Sequence, residues 1–129
     1  MDNFNKSLNS EKTILVADDN RDILESMKIL LEMEGYDVIT TSHGEEITSM
    51  LQLNPDLLLM DIWLAGIDGR DVCRHIKSKS ETRGVPIIMI SASKNIKRSA
   101  MDSGADDFIA KPFEIDDVLG KVKKHLFSN

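Results

Sequence analysis

Five short runs of apolar, often β-branched residues alternate along this chain with segments whose apolar residues recur at helical spacing. The runs predict strands at Thr13–Ala17, Asp37–Thr41, Asp56–Met60, Pro86–Ile90 and Asp107–Ala110. Alternation of this kind is typical of repeated βα units, which build a parallel sheet through right-handed crossovers. The third and fourth runs are almost wholly apolar, as in strands that are covered on both faces. The pattern therefore predicts an α/β protein with a doubly wound, five-stranded parallel sheet and five flanking helices.

The segments between the strands predict those helices from apolar side chains spaced one turn apart. In chain order the stripes are Ile23, Met27, Leu30 and Leu31 before Gly35; Ile47 with Leu51; Val72 with Ile76; Ile96, Ala100 and Met101; and Ile115, Val118, Leu119, Val122 and Leu126. Gly35 is a plausible C′ residue for the first helix. The fourth stripe is sparse, which indicates a more mobile element. Period and composition alone leave the order of the strands open.

The length of 129 residues argues for one domain with a single core. The first residues are polar and rich in Asn and Ser, without the apolar stretch of a secretory signal. We therefore expect residues 1–11 to form a loose tail and residues 12–127 to form the domain. We also expect no effector segment beyond Asn129, so that any output passes through a partner protein.

Composition argues against several classes of protein. No apolar run approaches the ~20 residues that a membrane-spanning helix needs. The net charge of −6 gives no help to nucleic-acid binding, and we interpret the basic cluster of Lys121, Lys123 and Lys124 as a solvated helix face. The single cysteine, Cys73, excludes an internal disulfide and fits a reducing compartment. We expect a cytoplasmic protein that binds neither a membrane nor nucleic acid.

Four charged residues stand where predicted strands end. Asp18 and Asp19 follow the first strand, Asp61 follows the third, and Lys111 follows the fifth. The C-terminal ends of parallel strands line one crevice, which is where open α/β sheets bind ligands. Three carboxylates and one ammonium would then converge. Such a group suits a divalent metal beside a carboxylate that accepts a phosphoryl group.

Each of these residues also has an ordinary structural explanation. Asp18 and Asp19 could be turn residues that also cap the next helix. Lys111 could be a strand-end residue before a proline that stops the strand or holds a cis bond, and Ser91, which follows the fourth strand, could be a helix cap or turn residue. Asp61 is harder to explain in this way, because it interrupts an apolar stretch, where an unpaired charge is costly.

Together and in this order, these residues resemble the receiver domain of two-component response regulators. The matching strings are Ile14-Leu15-Val16-Ala17-Asp18-Asp19, Leu58-Leu59-Met60-Asp61, Met89-Ile90-Ser91-Ala92 and Gly104-Ala105-Asp106-Asp107-Phe108-Ile109-Ala110-Lys111-Pro112-Phe113. The resemblance covers roughly Lys12 to Phe127. It implies the flavodoxin-like strand order 2-1-3-4-5.

The resemblance also implies a role for each residue of the acidic group. Asp61 would be the phosphoacceptor. Asp19, Asp61 and the backbone carbonyl of Trp63 would bind Mg²⁺ directly, with Mn²⁺ as the alternative ion, and Asp18 would act through water. Lys111 would pair with the phosphoryl group.

Two further residues would serve as a switch by the same resemblance. The Ser91 hydroxyl would move toward the phosphoryl group, and Phe108 would swing inward as Ser91 moves. Ser91 stands where many members have threonine and should be looser in χ1. Ala65 stands where the family often has proline, which changes the expected stiffness of the loop after the acceptor. We expect the indole of Trp63, the one tryptophan, to lie at the mouth of the site rather than in the core.

The implied reaction transfers a phosphoryl group from a phosphohistidine, on a histidine kinase or a histidine phosphotransfer protein, to Asp61. A conformational change would then signal to a downstream target. Such a chain is not a dedicated enzyme, although it catalyses its own phosphoryl transfer and autodephosphorylation. Three alternatives stay open: an aspartate-nucleophile phosphatase, whose second acid would be expected where Trp63 stands; a phosphorylation-independent interaction module; and a receiver fragment of a larger hybrid kinase or transcriptional regulator.

Overall fold

A parallel sheet of five strands forms the middle of the molecule. The computed structural model describes residues 8–127, where the strands are β1 (Thr13–Ala17), β2 (Asp37–Thr41), β3 (Leu57–Asp61), β4 (Ile87–Ser91) and β5 (Asp107–Ala110). They lie in the order β2-β1-β3-β4-β5, and every neighbouring pair is parallel. The predicted doubly wound, flavodoxin-like sheet is thereby confirmed. The strand order reverses at β1 and β3, which places a crevice at the C-terminal ends of these two strands.

Five helices connect or follow the strands: α1 (Arg21–Met33), α2 (Ile47–Met50), α3 (Gly69–Lys77), α4 (Lys97–Asp102) and α5 (Ile115–Phe127). The Asn20 side chain caps α1 by accepting two backbone N–H bonds, and Gly35, with φ +97°, follows its C-terminus as predicted. The short helices α2 and α4 are extended by 3₁₀ turns. Within residues 8–127, no helix is both long enough and apolar enough to span a bilayer.

The strands send alternate side chains into two hydrophobic cores. Leu15, Leu58 and Met60 face the core that α2, α3 and α4 cover. Val16 and Leu59 face the core that α1 and α5 cover. Because both faces of the sheet are covered, all residues of β3 are buried. The acidic residue that ends this strand therefore sits at the end of a fully buried strand.

The strands β3 and β4 each begin and end one residue later than predicted. The Asp56 side chain accepts a hydrogen bond from Thr13 N at 2.8 Å, so Asp56 caps the sheet instead of joining the strand. Pro86 has no N–H for the ladder and contributes only its carbonyl, which accepts from Leu58 N. At the other end of these strands, Asp61 and Ser91 are the last residues.

A small antiparallel hairpin directly follows β3, and the sequence did not predict it. Trp63–Leu64 pairs with Ile67–Asp68, and two-residue strands are too short to show a period. Ala65 and Gly66, at its tip, have φ values of +48° and +89°. Positive φ at both central residues is the pattern of a type I′ turn, which fits the twist of a two-residue hairpin. We call this element (residues 63–68) the acceptor hairpin.

The end of the predicted tail is ordered. Residues 1–7 lie outside the described residues, but residues 8–11 hold a helical turn. The Asn9 side chain is buried and donates a hydrogen bond to the Glu34 carbonyl at 2.6 Å. Lys12 lies over the Phe127 ring, 5.6 Å from its centroid. Polar Asn9 thus has a backbone partner at the end of α1, while the loose tail expected for residues 1–11 stays a prediction.

Gly69 lets α3 begin against the end of the strand that carries Asp61. A Cβ at this position would lie 2.9 Å from the Asp61 carbonyl oxygen and 3.0 Å from that of Ile62. Both atoms are backbone and cannot move without moving the end of β3. Gly69 N also donates a hydrogen bond to the Ile62 carbonyl. The glycine therefore fixes the distance between α3 and the site.

We expect Gly69→Ala to lower the free energy of unfolding by about 1–3 kcal/mol, because the methyl group overpacks against backbone. Gly120→Ala is the matched control. Gly120 lies within α5, and a Cβ added there would have no neighbour within 4 Å, so the same change should stabilise by about 0.5–1 kcal/mol. Urea unfolding of both variants measures the two effects. Equal signs would contradict the close approach at Gly69.

Candidate functional site

The predicted site residues meet at the C-terminal edge of the sheet. Asp18 and Asp19 follow β1, Asp61 ends β3, Ser91 ends β4 and Lys111 follows β5. The parallel order brings these ends together across the sheet although Asp18 and Lys111 are 93 positions apart. The Lys111–Pro112 peptide bond is cis. The convergence that the sequence predicted is therefore present.

Three carboxylates form a compact acidic cluster. One oxygen from each of Asp18, Asp19 and Asp61 lies within 4.8 Å of the other two. Asp18 is 1% exposed and Asp61 is 9% exposed, whereas Asp19 is open to solvent. Carboxylate oxygens at this spacing, with one side open, are what a small hard cation such as Mg²⁺ requires, because it binds a few carboxylates and keeps several waters.

Lys111 holds two of these carboxylates together. Its Nζ lies 3.2 Å from Asp18 Oδ2 and 3.1 Å from Asp61 Oδ2. Burial is the largest single effect on this ammonium and lowers its pKa, but the Asp61 hydrogen bond and the charges of both aspartates outweigh it. The net pKa of Lys111 is raised, so the side chain is a cation at neutral pH.

Asp18 behaves differently from an ordinary ion-pair partner. Its pKa is raised, first by burial and then by the neighbouring charge of Asp61, although the Asn20 N–H bond and Lys111 act in the opposite direction. One lysine shared between two carboxylates does not neutralise both. The cluster therefore holds excess negative charge in a poorly solvated place, which a bound cation would relieve.

Asp19 connects the cluster to the acceptor hairpin. Its Oδ2 accepts a hydrogen bond from Ala65 N at 3.2 Å. Ala65 has a φ of +48°, and proline could not occupy this position, since it has no N–H and its φ is fixed near −65°. The loop conformation seen here is thus one that proline could not adopt at position 65.

The two predicted switch residues lie one strand apart. Ser91 is 2% exposed, and its Oγ accepts a hydrogen bond from Ser93 N at 3.1 Å. The Ser91 carbonyl accepts from Lys111 N at 2.8 Å, which links the two strand ends. Phe108 is 5% exposed and packs in the core beneath α4 with Met89 and Ala100. The ring is thus already in an inward position.

Trp63 is exposed, as the loop position predicted, and the alternative of a core indole is wrong. The residue has 52% of its surface exposed. The guanidinium carbon of Arg70 lies over the indole, 5.2 Å from the ring centroid. Sequence reasoning missed Arg70, because one arginine in an amphipathic helix gives no sign of its partners. Trp63 also leaves the acidic position of an aspartate-nucleophile phosphatase without an acid.

Comparison with known proteins agrees with this geometry. The family model described as "Response regulator receiver domain" matches residues 14–123. The DNA-binding response regulator MtrA of Mycolicibacterium paratuberculosis is 38% identical over 119 residues, which are 90% of this chain and 52% of that protein. The chain thus spans about half the length of the curated relatives it matches.

Solved structures share the fold closely. A putative response regulator from Chloroflexus aurantiacus J-10-fl superposes with a TM-score of 0.84 at 33% identity, covering 89% of this chain and 97% of that one. The receiver domain of a sensor histidine kinase from Pseudomonas aeruginosa PAO1 superposes with a TM-score of 0.82 at 27% identity, covering 91% and 98% of the two chains. That structure has a magnesium ion coordinated in its active-site cleft.

The family match covers most of the chain, and the strand order, the acidic cluster and the lysine that pairs with it agree with that match. The chain belongs to the response regulator receiver domain family of two-component systems.

Proposed function

We propose that this chain accepts a phosphoryl group on Asp61 from a phosphohistidine of a histidine kinase or histidine phosphotransfer protein. The observation that carries the proposal is the acidic cluster with Lys111 on Asp61. A nearly buried carboxylate, a cation at 3.1 Å and two further carboxylates stand at one strand edge. Phosphoryl transfer needs positioning and charge neutralisation more than covalent help, and these residues supply both.

The proposed metal ligands are Asp19, Asp61 and the backbone carbonyl of Trp63, with Asp18 acting through a water molecule. The excess negative charge of the cluster and the magnesium ion in the Pseudomonas relative support this set. Mg²⁺, when bound, would supply charge neutralisation for the oxygens of donor and acceptor. Mn²⁺ has the same preference for oxygen ligands and should serve in its place.

Asp61 is proposed as the nucleophile. One of its carboxylate oxygens attacks phosphorus, an O–P bond forms, and the N–P bond of the phosphohistidine breaks with its electron pair left on the imidazole. Lys111 Nζ, already within hydrogen-bond distance of Asp61 Oδ2, would then pair with a phosphoryl oxygen. The product is an acyl phosphate, which water can hydrolyse at the same site. The chain would thus catalyse its own phosphorylation and its own return to the starting state.

The proposed readout is a population shift at α4 and β5. New phosphoryl oxygens would attract the Ser91 hydroxyl and Lys111, whose backbones are already joined by a hydrogen bond, and so favour one conformation. Phe108 packs beneath α4, so a movement of Ser91 would be transmitted to α4 through this ring. The downstream target would be a partner protein, or an output region in a longer protein like the DNA-binding relatives.

We expect incubation with a small phosphodonor and Mg²⁺ to add one phosphoryl group, and Asp61→Asn to abolish the addition. Asp102→Asn, an exposed acid on α4, is the control and should be labelled like the parent. Intact mass spectrometry measures both. Labelling of Asp61→Asn equal to that of the parent would falsify the acceptor assignment, and no labelling of the parent would favour a phosphorylation-independent interaction module.

A second prediction concerns pH and metal removal. The folded-state pKa of Asp18 lies above its ordinary value of 3.8, so the neutral acid is favoured in the fold. Without metal, Asp18 therefore lowers the free energy of unfolding as pH rises from the ordinary pKa of 3.8 to the raised folded-state pKa. Above the folded-state pKa this loss of stability is complete. Asp18→Asn should raise the metal-free melting temperature at pH 7 and flatten the pH dependence, and Mg²⁺ should stabilise the parent more than the variant.

Thermal unfolding in chelator and in Mg²⁺, from pH 4 to pH 8 (roughly the range over which carboxyls with raised pKa values titrate), tests this. Calorimetric titration adds a control on the ligand roles. Asp19→Asn should weaken Mg²⁺ binding more than Asp18→Asn, because Asp19 is assigned the direct bond. A reversed order would mean that the two roles are exchanged, and an unchanged melting temperature in Asp18→Asn would contradict the excess charge.

A third prediction separates chemistry from signalling. Ser91→Ala should still be phosphorylated on Asp61 but should show a reduced conformational response, because the hydroxyl that would reach the phosphoryl group is gone. Ser91→Thr keeps that hydroxyl and should respond like the parent. Amide hydrogen exchange of α4 and β5, before and after phosphorylation, measures the response. A full response in Ser91→Ala would remove this residue from the switch.

A further inference from the structure

One guanidinium group joins three elements beside the site. Arg70 Nε and Nη2 donate to the Asp68 carboxylate at 2.9 and 2.6 Å. Its Nη1 donates to Ser99 Oγ of α4 at 2.9 Å. Its guanidinium carbon lies 5.2 Å from the Trp63 ring centroid. We call this group of four residues the Arg70 bridge.

The arrangement requires the shape of arginine. The planar fork meets a carboxylate with two parallel bonds, while its third nitrogen and its face are left for other partners. Here those partners are the Ser99 hydroxyl and the indole face. The Arg70 hydrogen bond is also the main cause of the lowered pKa of Asp68, so the carboxylate stays ionised at neutral pH. A lysine could pair with Asp68 but could not make all three contacts together.

The partners of Arg70 define what the bridge holds. Trp63 and Asp68 face each other as the pair at the base of the acceptor hairpin. Trp63 lies two residues after Asp61 in the sequence. The tip of the same hairpin is held by Asp19, which accepts from Ala65 N. The acceptor hairpin is thus fixed at its tip by an acidic residue of the cluster and at its base by Arg70. Between these two polar contacts, Leu64 is fully buried in the core. Of the two polar contacts, the one at the base extends to α4 through Ser99.

We propose that Arg70 is a positioning residue that fixes the base of the acceptor hairpin to α4 and thereby sets the position of the Trp63 carbonyl at the metal site. The inference rests on the proposed function, since that carbonyl is a proposed Mg²⁺ ligand. Its consequence is a link between α4 and the metal. If a movement of α4 withdraws Ser99, the bridge loosens and Mg²⁺ affinity falls, and by reciprocity Mg²⁺ binding steadies α4.

An exposed arginine–aspartate pair alone would have little effect on anything beyond itself. The bridge differs because the Arg70 and Asp68 side chains are 21% and 25% exposed and because the contacts extend to two more residues. Arg74, one turn further along α3, provides the contrast. It pairs with Asp71 at 2.8 Å, and both side chains are more than half exposed.

The test measures Mg²⁺ affinity of the unphosphorylated full chain by calorimetry and by Trp63 fluorescence. Arg70→Lys should weaken binding about tenfold, the lower end of the losses seen when groups that support metal ligands are removed. Ser99→Ala should weaken it about fivefold. Ser99→Thr restores the hydroxyl and should match the parent, as should the control Arg74→Lys. A general loss of packing would not follow this pattern.

Combining Arg70→Lys with Ser99→Ala adds a check on the route. If Ser99 acts through Arg70, the double variant should bind Mg²⁺ no more weakly than Arg70→Lys alone. Effects that multiply would overturn the proposed route, and variants that bind as tightly as the parent would overturn the inference while the proposed function stands. A parent chain that does not bind Mg²⁺ would overturn the metal part of the proposed function and this inference with it.

Discussion

The crowding of three carboxylates at one strand edge is the constraint on which the rest of this site depends. Asp18 and Asp61 are nearly buried, and Lys111 is the one cation within 4 Å of either among the described residues. A single ammonium cannot neutralise two carboxylates and a nearby third, so the cluster keeps unbalanced negative charge. This imbalance makes the site receptive to a cation.

The backbone that carries this charge is closely packed. Asp61 ends a strand that is buried along its length, and Gly69 lets α3 approach the backbone at that point. The acceptor hairpin then carries the chain away from the site, with Leu64 buried in the core and with polar contacts to Asp19 at its tip and Arg70 at its base. Where the family often has a proline, this chain has Ala65 with a positive φ. Stiffness that proline would supply through its ring comes here from hydrogen bonds.

Side chains of α5 contact the edge strand β5 at the outer edge of the sheet. β5 is an edge strand, and the Lys121 ammonium donates to the Phe108 carbonyl at 2.9 Å. Asp107 pairs with His125 at 2.8 Å on the same face, and this bond, with Lys121, outweighs burial and lowers the pKa of Asp107. Lys121, expected to be a solvated charge, therefore also covers an open strand edge, which natural sheets protect in this way.

The sequence by itself determined the elements and the acidic site. Apolar runs separated by helical stripes predicted the βα units. Parallel strands necessarily bring their C-terminal ends to one edge, so the sequence alone could place Asp18, Asp61 and Lys111 together. The strand order came from the resemblance to a family, because period alone does not choose it. Tertiary structure decided the rest. The Arg70 bridge, the Asn9 contact with α1 and the two-residue hairpin each depend on partners or φ angles that no local pattern specifies, since a side chain's partner is set by packing of distant segments.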